Sequence, residues 1–485
     1  MAVMIARVTL WMGHRQVMDM YGEAESPLPL VSLPGVRQAD ALRVAWPQVD
    51  AIIGNPPFLG GGQLRGTLGG DYVEWLGKQF DTGIRDLCTY WFRKAQDHMA
   101  PGQRAGFVGT NSIPQNMGRE ASLDYVVANG GIITDAVCSQ KWPGEAKVHV
   151  SIVNWVKSPS DRPERFELDG EPVLGITSSL RPVGTDDWSA LALDSNKGRC
   201  FEGPSPKSSG LIIKAEVALS LRSRADADYS GVVKPYLTAR DIADSPTQTA
   251  SRWTIDFGLM PLETAMKYPA ALDIVRRDVR PEREKNNRKT YRDLWWIFAE
   301  PRRGMRSALK GLPRYAAAAG HSKRLVITWI DARTLASNAT DVFAFDDDYS
   351  MGILLSRAHD AWAWAQSSTL KGDLRYTPTT VFATFPWPEP TDPQRDKIAA
   401  ASAALYERRS ALCIEHNVGL TKLYNLMDEG GFQDLKKLHK DLDETVADAY
   451  GWPKSIAQDG PELVRRLRAL NRDIVEGKHP YSPFE

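Results

Sequence analysis

The chain has 485 residues, 42% of them hydrophobic and 25% charged, and its 60 basic residues balance its 60 acidic ones. This composition predicts an ordinary globular protein of two to four domains. No apolar run approaches the roughly 20 residues that cross a bilayer, and charged residues interrupt the N-terminal apolar stretch, so we expect no secretory signal and no membrane partner. The four cysteines lack paired spacing, which predicts neither disulfides nor a metal site, and the cytoplasm is the expected compartment.

The first elements lead to a strand that ends in a proline motif. Ile5, Val8 and Trp11 fall at helical spacing, which predicts a helix closed near Gly22. A proline-rich loop and a short strand ending before Asp40 follow in our interpretation. The apolar run 49–54 then predicts a strand that delivers Asn55-Pro56-Pro57-Phe58.

This tetrapeptide suits the capture of an amino group that is to be methylated. An amine conjugated to an aromatic ring is a poor nucleophile, and acceptors that favour a tetrahedral nitrogen activate it. The side-chain oxygen of Asn55 and the carbonyl of Pro56 can accept both amine hydrogens, while Pro56 and Pro57 leave no competing N–H. Phe58 can stack on a base. The structural alternative is a strand followed by a proline-rich turn.

The following elements predict an open α/β sheet. An apolar stripe over 87–99 predicts a helix that Pro101-Gly102 ends, and 105–109 and 148–156 read as strands. Ligands of such sheets bind beyond the carboxyl ends of the strands, where Asn55 and Asn111 both lie. Asn111 and Ser112 have a structural alternative, which is to cap the next helix.

The rest of the chain is long enough for a separate recognition module. Between residues 276 and 292, eight basic residues stand against three acidic ones, a pattern that fits either phosphate contacts or a solvated helix face. From about residue 391 the leucine and alanine spacing predicts helices that pack on this module.

Four blocks of sequence, in order, resemble the adenine-specific DNA methyltransferases, and most closely the MmeI-like branch, the single-chain type IIL restriction–modification enzymes. They are Asp-Ala-Ile-Ile-Gly-Asn-Pro-Pro-Phe-Leu-Gly-Gly (50–61), Asp-Leu-Cys-Thr-Tyr-Trp-Phe (86–92), Gly-Phe-Val-Gly-Thr-Asn-Ser-Ile (106–113) and Trp-Pro-Gly-Glu-Ala-Lys-Val (142–148). Thr-Val-Phe-Ala-Thr-Phe-Pro-Trp-Pro (380–388) resembles the block that closes the family's recognition region. The resemblance extends over nearly the whole chain.

The resemblance implies a Rossmann-like class I methyltransferase sheet over 1–158, a mixed α/β target-recognition domain over 159–390 and a helical region over 391–485. It implies S-adenosylmethionine as methyl donor and N6 of an adenine, flipped from double-stranded DNA, as acceptor. Asn55, Pro56, Pro57 and Phe58 then form the base pocket. Asp40 corresponds to the residue that contacts the donor's adenine, although it also suits a turn. The expected DNA contacts are Arg280, Arg283, Arg288, Lys289 and Arg292.

The chain departs from this family in its first part. The glycine-rich donor loop has no counterpart before Asp40, and neither the acidic residue for the donor's ribose nor an upstream nuclease region is present. We therefore expect a C-terminal portion of a longer enzyme, whose sheet lacks its two central strands and has a gap there. Alone it should methylate weakly or not at all, and it should need an N-terminal segment or a companion chain.

Two alternatives remain open from the sequence alone. The chain could bind DNA through its recognition module without catalysis. It could also be an N-methyltransferase that modifies RNA or protein, since Asn-Pro-Pro motifs serve such enzymes too, although those enzymes are usually compact.

Overall fold

The computed structural model describes residues 2–22, 33, 35–142, 148–158, 160, 163–183, 190–370 and 373–484. The chain divides into two compact units, 1–185 and 186–485. The elements of the first unit are α1 (Ala2–Tyr21), β1 (Ala51–Gly54), α2 (Gly61–Leu68), α3 (Gly70–Phe80), α4 (Thr89–His98), β2 (Arg104–Thr110), α5 (Asn116–Ala121), α6 (Leu123–Ala128), β3 (Gly131–Lys141), β4 (His149–Lys157), β5 (Phe166–Leu168) and β6 (Glu171–Val173).

The first unit is built on a six-stranded mixed sheet in the order β1-β2-β4-β3-β5-β6. β1 and β2 are parallel, with Ile52 opposite Ala105, whereas β4 is antiparallel to both β2 and β3. The buried face of the sheet carries Phe107 and Trp155, and Phe92 of α4 stacks on Trp155 with ring centroids 5.5 Å apart. Since β1 and β2 are parallel, their carboxyl ends meet at one edge of the sheet.

The predicted α/β class and most predicted elements of this unit are confirmed. The helix near the N-terminus, the strand before Asn55, the helix over 87–99 and the strands over 105–109 and 148–156 all form, with ends shifted by a few residues. The strand predicted before Asp40 is wrong, because residues 35–40 contain no strand and 41–43 form a turn.

The predicted gap inside the sheet is an open edge instead. Among the described residues, β1 pairs only with β2, so its other side carries unpaired backbone groups. The side chain of Ile53 on this strand is 86% exposed, and α1 also exposes large apolar side chains, including Met4 and Val8.

The second unit combines three small sheets with a helical layer. Its elements are β7 (Cys200–Glu202), β8 (Ile212–Ile213), α7 (Ala215–Arg222), β9 (Val233–Leu237), α8 (Ala239–Asp244), β10 (Arg252–Ile255), α9 (Leu262–Ala265), α10 (Pro269–Asp278), α11 (Arg280–Glu284), α12 (Lys289–Asp293), α13 (Arg303–Ala308), β11 (Arg314–Ala319), β12 (His321–Ser322), β13 (Ile327–Asp331), β14 (Leu335–Ala336), β15 (Thr340–Phe343), α14 (Asp348–Leu355), α15 (Arg357–Gln366), β16 (Ser368–Leu370), β17 (Asp373–Arg375), α16 (Asp392–Glu415), α17 (Leu420–Asp428), α18 (Gln433–Ala449) and α19 (Gly460–Val475). The sheets run β14-β9-β10-β8, β13-β11-β15-β7 and β12-β17-β16.

One hydrophobic core extends through this unit, from Leu211 to Leu467. It contains the aromatic group Trp362, Phe382, Phe385 and Trp387, which is buried as packing. The C-terminal helices therefore share their core with the sheets that precede them. Within the described parts of the chain, no helix combines the length and apolar character that a membrane span needs.

Candidate active site and DNA-contact surface

Asn55 lies at the carboxyl end of β1 with a side chain free to bind a ligand. β1 ends one residue earlier, where Gly54 pairs with Phe107, whereas β2 continues to Thr110. The Asn55 side chain is exposed and forms no hydrogen bond with any described residue. Its amide oxygen is therefore available as an acceptor, which is what capture of an amine requires.

The residues after Asn55 are held in place by packing and by a backbone hydrogen bond. Pro56 is buried, Pro57 is exposed, and Phe58 is half-buried against the cluster that contains Phe107. The N–H of Leu87, just before α4, donates to the Leu59 carbonyl at 3.0 Å. The segment that leads into α4 thus braces the loop that carries the motif.

Gly61 allows a close approach of two backbone segments beside this loop. A Cβ on Gly61 would lie 3.3 Å from the carbonyl oxygens of both Ile84 and Arg85. A side chain there would require one of the two segments to shift by a few tenths of an ångström. Of the glycines at 60–62, Gly61 is thus the one in close contact with the segment that supports the motif loop.

The end of β2 forms a polar turn that contains Asn111 and Ser112. The hydroxyls of Thr110 and Ser112 lie 2.8 Å apart, and the Ser112 carbonyl accepts the Gln115 N–H at 3.0 Å. The next helix, α5, begins at Asn116 with Gln115 as its N-cap. The alternative in which Asn111 or Ser112 caps that helix is therefore wrong, and both residues lie at the strand end.

Asp40 sits in a turn in which both of its carboxylate oxygens accept hydrogen bonds. Oδ1 accepts the Leu42 N–H at 3.0 Å, and Oδ2 accepts the Tyr72 hydroxyl at 2.8 Å. Burial, followed by this bond to Asp40, raises the pKa of Tyr72. The Asp40 side chain keeps 34% of its surface exposed, so one oxygen can accept a further hydrogen bond from a ligand amine.

Lys94 of α4 holds the turn that follows Asp40. Its ammonium donates to the carbonyls of Ala41 at 2.8 Å, Leu42 at 2.8 Å and Val44 at 2.6 Å. These bonds use all three ammonium protons, and burial lowers the pKa of Lys94. The indole N–H of Trp46 also donates to the Ala41 carbonyl, at 2.8 Å.

α4 therefore supports both halves of the predicted site. The segment just before it braces the loop after Asn55 through Leu87, and Lys94 within the helix fixes the turn after Asp40. Lys94 and Tyr72 were not predicted from the sequence, because a lysine or tyrosine on a helix carries no signal of a carbonyl or carboxylate partner many residues away.

The residues present fit one end of a nucleoside-containing donor. Asp40 offers a partly exposed acceptor for an adenine amine, and Arg43 stacks over Tyr72 and Trp75 at 4.8 and 4.7 Å from the ring centroids. The described residues contain no group of three or more His, Cys, Asp or Glu side chains arranged for a metal ion. Residues 143–147 of the block at 142–148, Lys147 among them, lie outside the described residues.

The basic tract at 276–292 extends from the end of α10 through α11 into α12. Its cations differ in exposure. Arg280 is exposed but pairs with Glu284 at 2.7 Å. The exposed Arg288 donates to the Tyr291 hydroxyl at 2.9 Å, and the exposed Lys289 forms no ion pair with a described residue. The half-buried Arg292 donates to the Asn286 carbonyl at 2.6 Å.

Arg283 is placed differently from the other four. It is only 2% exposed, and its guanidinium donates to the Pro206 carbonyl at 2.5 Å. Burial lowers its pKa, and the adjacent Glu282 accepts the Ser208 hydroxyl at 2.6 Å. Arg283 therefore fixes the 206–208 loop, and its buried head is not placed to contact a phosphate.

Comparison with known proteins relates both units to the same family, MmeI. The model of the MmeI DNA-methyltransferase domain matches residues 1–166, and that of the MmeI target recognition domain matches residues 195–389. DNA methyltransferase A of Bacillus subtilis (strain 168) is 24% identical over 476 residues, which cover 92% of the chain and 52% of that relative. The chain thus spans about half the length of this curated relative.

A solved structure shares the fold. The type IIL restriction–modification enzyme MmeI, determined in complex with DNA, superposes with a TM-score of 0.75 at 20% sequence identity. The superposition covers 95% of this chain and 63% of MmeI.

Proposed function

Because the chain belongs to the MmeI-like DNA methyltransferases, we propose that it acts in site-specific transfer of a methyl group from S-adenosylmethionine to N6 of adenine in double-stranded DNA. The target base must leave the duplex, since its amine is not reachable inside the stack. The proposal includes a role in a restriction–modification or DNA-modification system in the cytoplasm.

Asn55 and Pro56 are the proposed acceptors for the target amine. The two N6 hydrogens donate to the Asn55 side-chain oxygen and to the Pro56 carbonyl, which favours a nitrogen lone pair pointed at the incoming methyl carbon. Pro57 keeps the backbone free of a competing donor, and Phe58 stacks on the base. When bound, the donor would supply an electrophilic methyl group on a sulfonium and leave as the neutral thioether, and the methylated amine would lose one proton to solvent.

The observation that carries this proposal is the placement of Asn55. It is an exposed amide without a hydrogen-bonding partner among the described residues, at the carboxyl end of a strand whose parallel neighbour ends in a polar turn. An Asn with a purely structural role in a proline turn would instead bond to nearby backbone groups.

Incubation with labelled S-adenosylmethionine and duplex DNA, RNA or mixed protein tests the substrate class. Mass spectrometry of the digested products should identify N6-methyladenine from duplex DNA. Methyl groups in RNA or protein would favour the other class of N-methyltransferase, and N4-methylcytosine would contradict the choice of base.

DNA binding without catalysis is the second candidate, and the state of Asp40 favours it. Each Asp40 oxygen already accepts one hydrogen bond within the chain, so an adenine amine of the donor must share an oxygen with Leu42 or Tyr72. Calorimetry of the whole chain with S-adenosylmethionine, with and without duplex DNA, separates the candidates. If the chain transfers methyl groups, it should bind the donor. Asp40→Ala should weaken that binding about 10-fold or more, and Asp71→Ala should leave it unchanged. Duplex binding without donor binding would favour the second candidate.

A further inference from the structure

A basic cleft opens in the second unit beside the C-terminal helices. Its volume is about 1120 Å³. One wall is the segment at 323–325, another is the junction of α14 and α15, and the third is formed by α17 and α18. The third wall lies beyond residue 389, where the matched recognition domain ends. We call it the lysine cleft after Lys323, Lys436, Lys437 and Lys440.

Cations outnumber carboxyl groups in the lining of the lysine cleft. Its four lysines are joined by Arg324 and Arg357, against three aspartates. The whole chain has a net charge of zero, so this excess is a local feature. A cleft lined by one sign of charge raises the local concentration of ligands of the opposite sign.

The carboxyl groups of the cleft are already engaged. Asp428 pairs with Arg324, and Asp360 pairs with Arg357 at 2.5 Å. Asp443 is buried and accepts the Arg357 N–H at 2.7 Å and the Gln458 side-chain amide at 2.8 Å. Among the described residues, none of the three aspartates in the lining is therefore paired with a lysine of the cleft.

Three of the four lysines have no ion-pair partner in the described parts of the chain. These are Lys323, Lys436 and Lys437, all exposed, whereas Lys440 lies 3.8 Å from Glu444. Lys436, Lys437 and Lys440 lie within about one turn of α18 and span ~6 Å along its axis.

We propose that the lysine cleft binds the phosphate backbone of duplex DNA outside the bases that the recognition domain reads. This inference rests on the proposed DNA-methyltransferase function and assigns a role to the C-terminal helices. Lysines are compact point charges that neutralise phosphates without discriminating between bases. The cleft thus contributes affinity, and its salt dependence, rather than sequence choice.

Fluorescence anisotropy with labelled duplex DNA at several salt concentrations tests the proposal on the whole chain. The test variant combines Lys436→Gln, Lys437→Gln and Lys440→Gln. The control combines Lys397→Gln, Lys422→Gln and Lys478→Gln, which remove the same charge from exposed lysines outside the cleft. Far-ultraviolet circular dichroism and thermal melts confirm that both variants fold.

The cleft variant should bind all duplexes more weakly, and the slope of log K against log salt should become shallower by ~0.9 for each phosphate that is no longer neutralised. Its relative preference among DNA sequences should not change. If the cleft and control variants bind DNA with equal affinities and equal salt slopes, the proposed role of the lysine cleft is wrong, and the proposed function is unaffected. Absence of duplex binding by the unmodified chain would overturn the proposed function together with it.

Discussion

Asp443 is the buried carboxyl whose ionisation should most affect stability. Burial raises its pKa from 3.8 to about 7, outweighing the hydrogen bonds that favour the charged form. The folded state therefore holds the proton more tightly than the unfolded state does. The resulting stabilisation is complete below about pH 4, declines as the pH rises through the interval up to about 7, and is lost above it.

Asp443→Asn should therefore stabilise the protein at pH 8, because the neutral amide imitates the protonated carboxyl. We expect a gain in the free energy of unfolding on the order of 2 kcal/mol at pH 8 and almost none at pH 4. Denaturant unfolding at the two pH values measures it, with Asp441→Asn, exposed on the same helix, as the control. A gain that does not depend on pH would contradict the assigned ionisation.

Single residues show where prediction from the sequence succeeds and where it stops. The placement of Asn55 follows from the motif, since a strand of apolar residues before two prolines fixes its position at a strand end. The direction of an arginine does not follow from a basic tract: Arg283 and Arg288 belong to the same short tract, yet one is buried against Pro206 and the other is exposed. The pattern of charges in a sequence cannot show which cation is buried and donates to a backbone carbonyl.

α4 is the element that connects the two predicted subsites, and Lys94 is its contact to the donor side. Lys94→Met should leave the Leu42 and Val44 carbonyls without their donor, and the Ala41 carbonyl with the Trp46 indole alone, and so loosen the turn at 41–44 at a cost of about 1–3 kcal/mol. Amide hydrogen exchange should accelerate at Arg43 and Val44, whose N–H groups donate to the Asp40 carbonyl.

Donor binding gives a second readout for the same variant. Lys94→Met should weaken S-adenosylmethionine binding more than DNA binding, because it displaces Asp40 and leaves the recognition domain unchanged. Lys78→Met, which replaces an exposed lysine on α3, is the matched control. Unchanged exchange at Arg43 and Val44 would show that Lys94 does not hold the turn.

Helices and strands could be predicted from the sequence where a single hydrophobic pattern covers the segment, and not where turns interrupt that pattern. The strands at 51–54 and 104–110 follow from short apolar runs between turn residues. The segment before Asp40 lacks such a run, and its turn depends on distant partners such as Lys94 and Tyr72. Within the basic tract, α11 begins as a new helix because Pro281 lacks an N–H and therefore does not continue α10.

At the scale of the whole molecule, the second unit cannot be divided at residue 390. Asn471 of α19 donates to the Leu191 and Thr384 carbonyls, both at 2.9 Å, and Arg409 of α16 donates to the Ile327 carbonyl at 2.9 Å. These buried polar contacts accompany a shared hydrophobic core. The sequence predicted that the helices pack here, but not that they complete the same core.

A chain that ends at residue 390 should therefore aggregate, whereas a chain that begins at residue 186 should remain soluble and folded. The first deletion exposes the buried face of the core and leaves buried carbonyls unpaired, and the second cuts between the two compact units. Size-exclusion chromatography and circular dichroism compare the two fragments. A soluble, folded 1–390 chain would contradict the single core.

The central claim is that Asn55 holds a target adenine for methylation. The most direct measurement is single-molecule sequencing of modified bases in the genome of the source cell, before and after its Asn55 codon is changed to Ala, with Gln63→Ala as the control. This measures the protein with whatever partners it has in the cell. We predict N6-methyladenine at one sequence motif, lost in Asn55→Ala because removal of one acceptor lowers transfer by ~10²–10³-fold or more, and retained in Gln63→Ala. Adenine methylation that persists unchanged in Asn55→Ala would contradict the claim. Loss of N4-methylcytosine instead of N6-methyladenine in this variant would also contradict it.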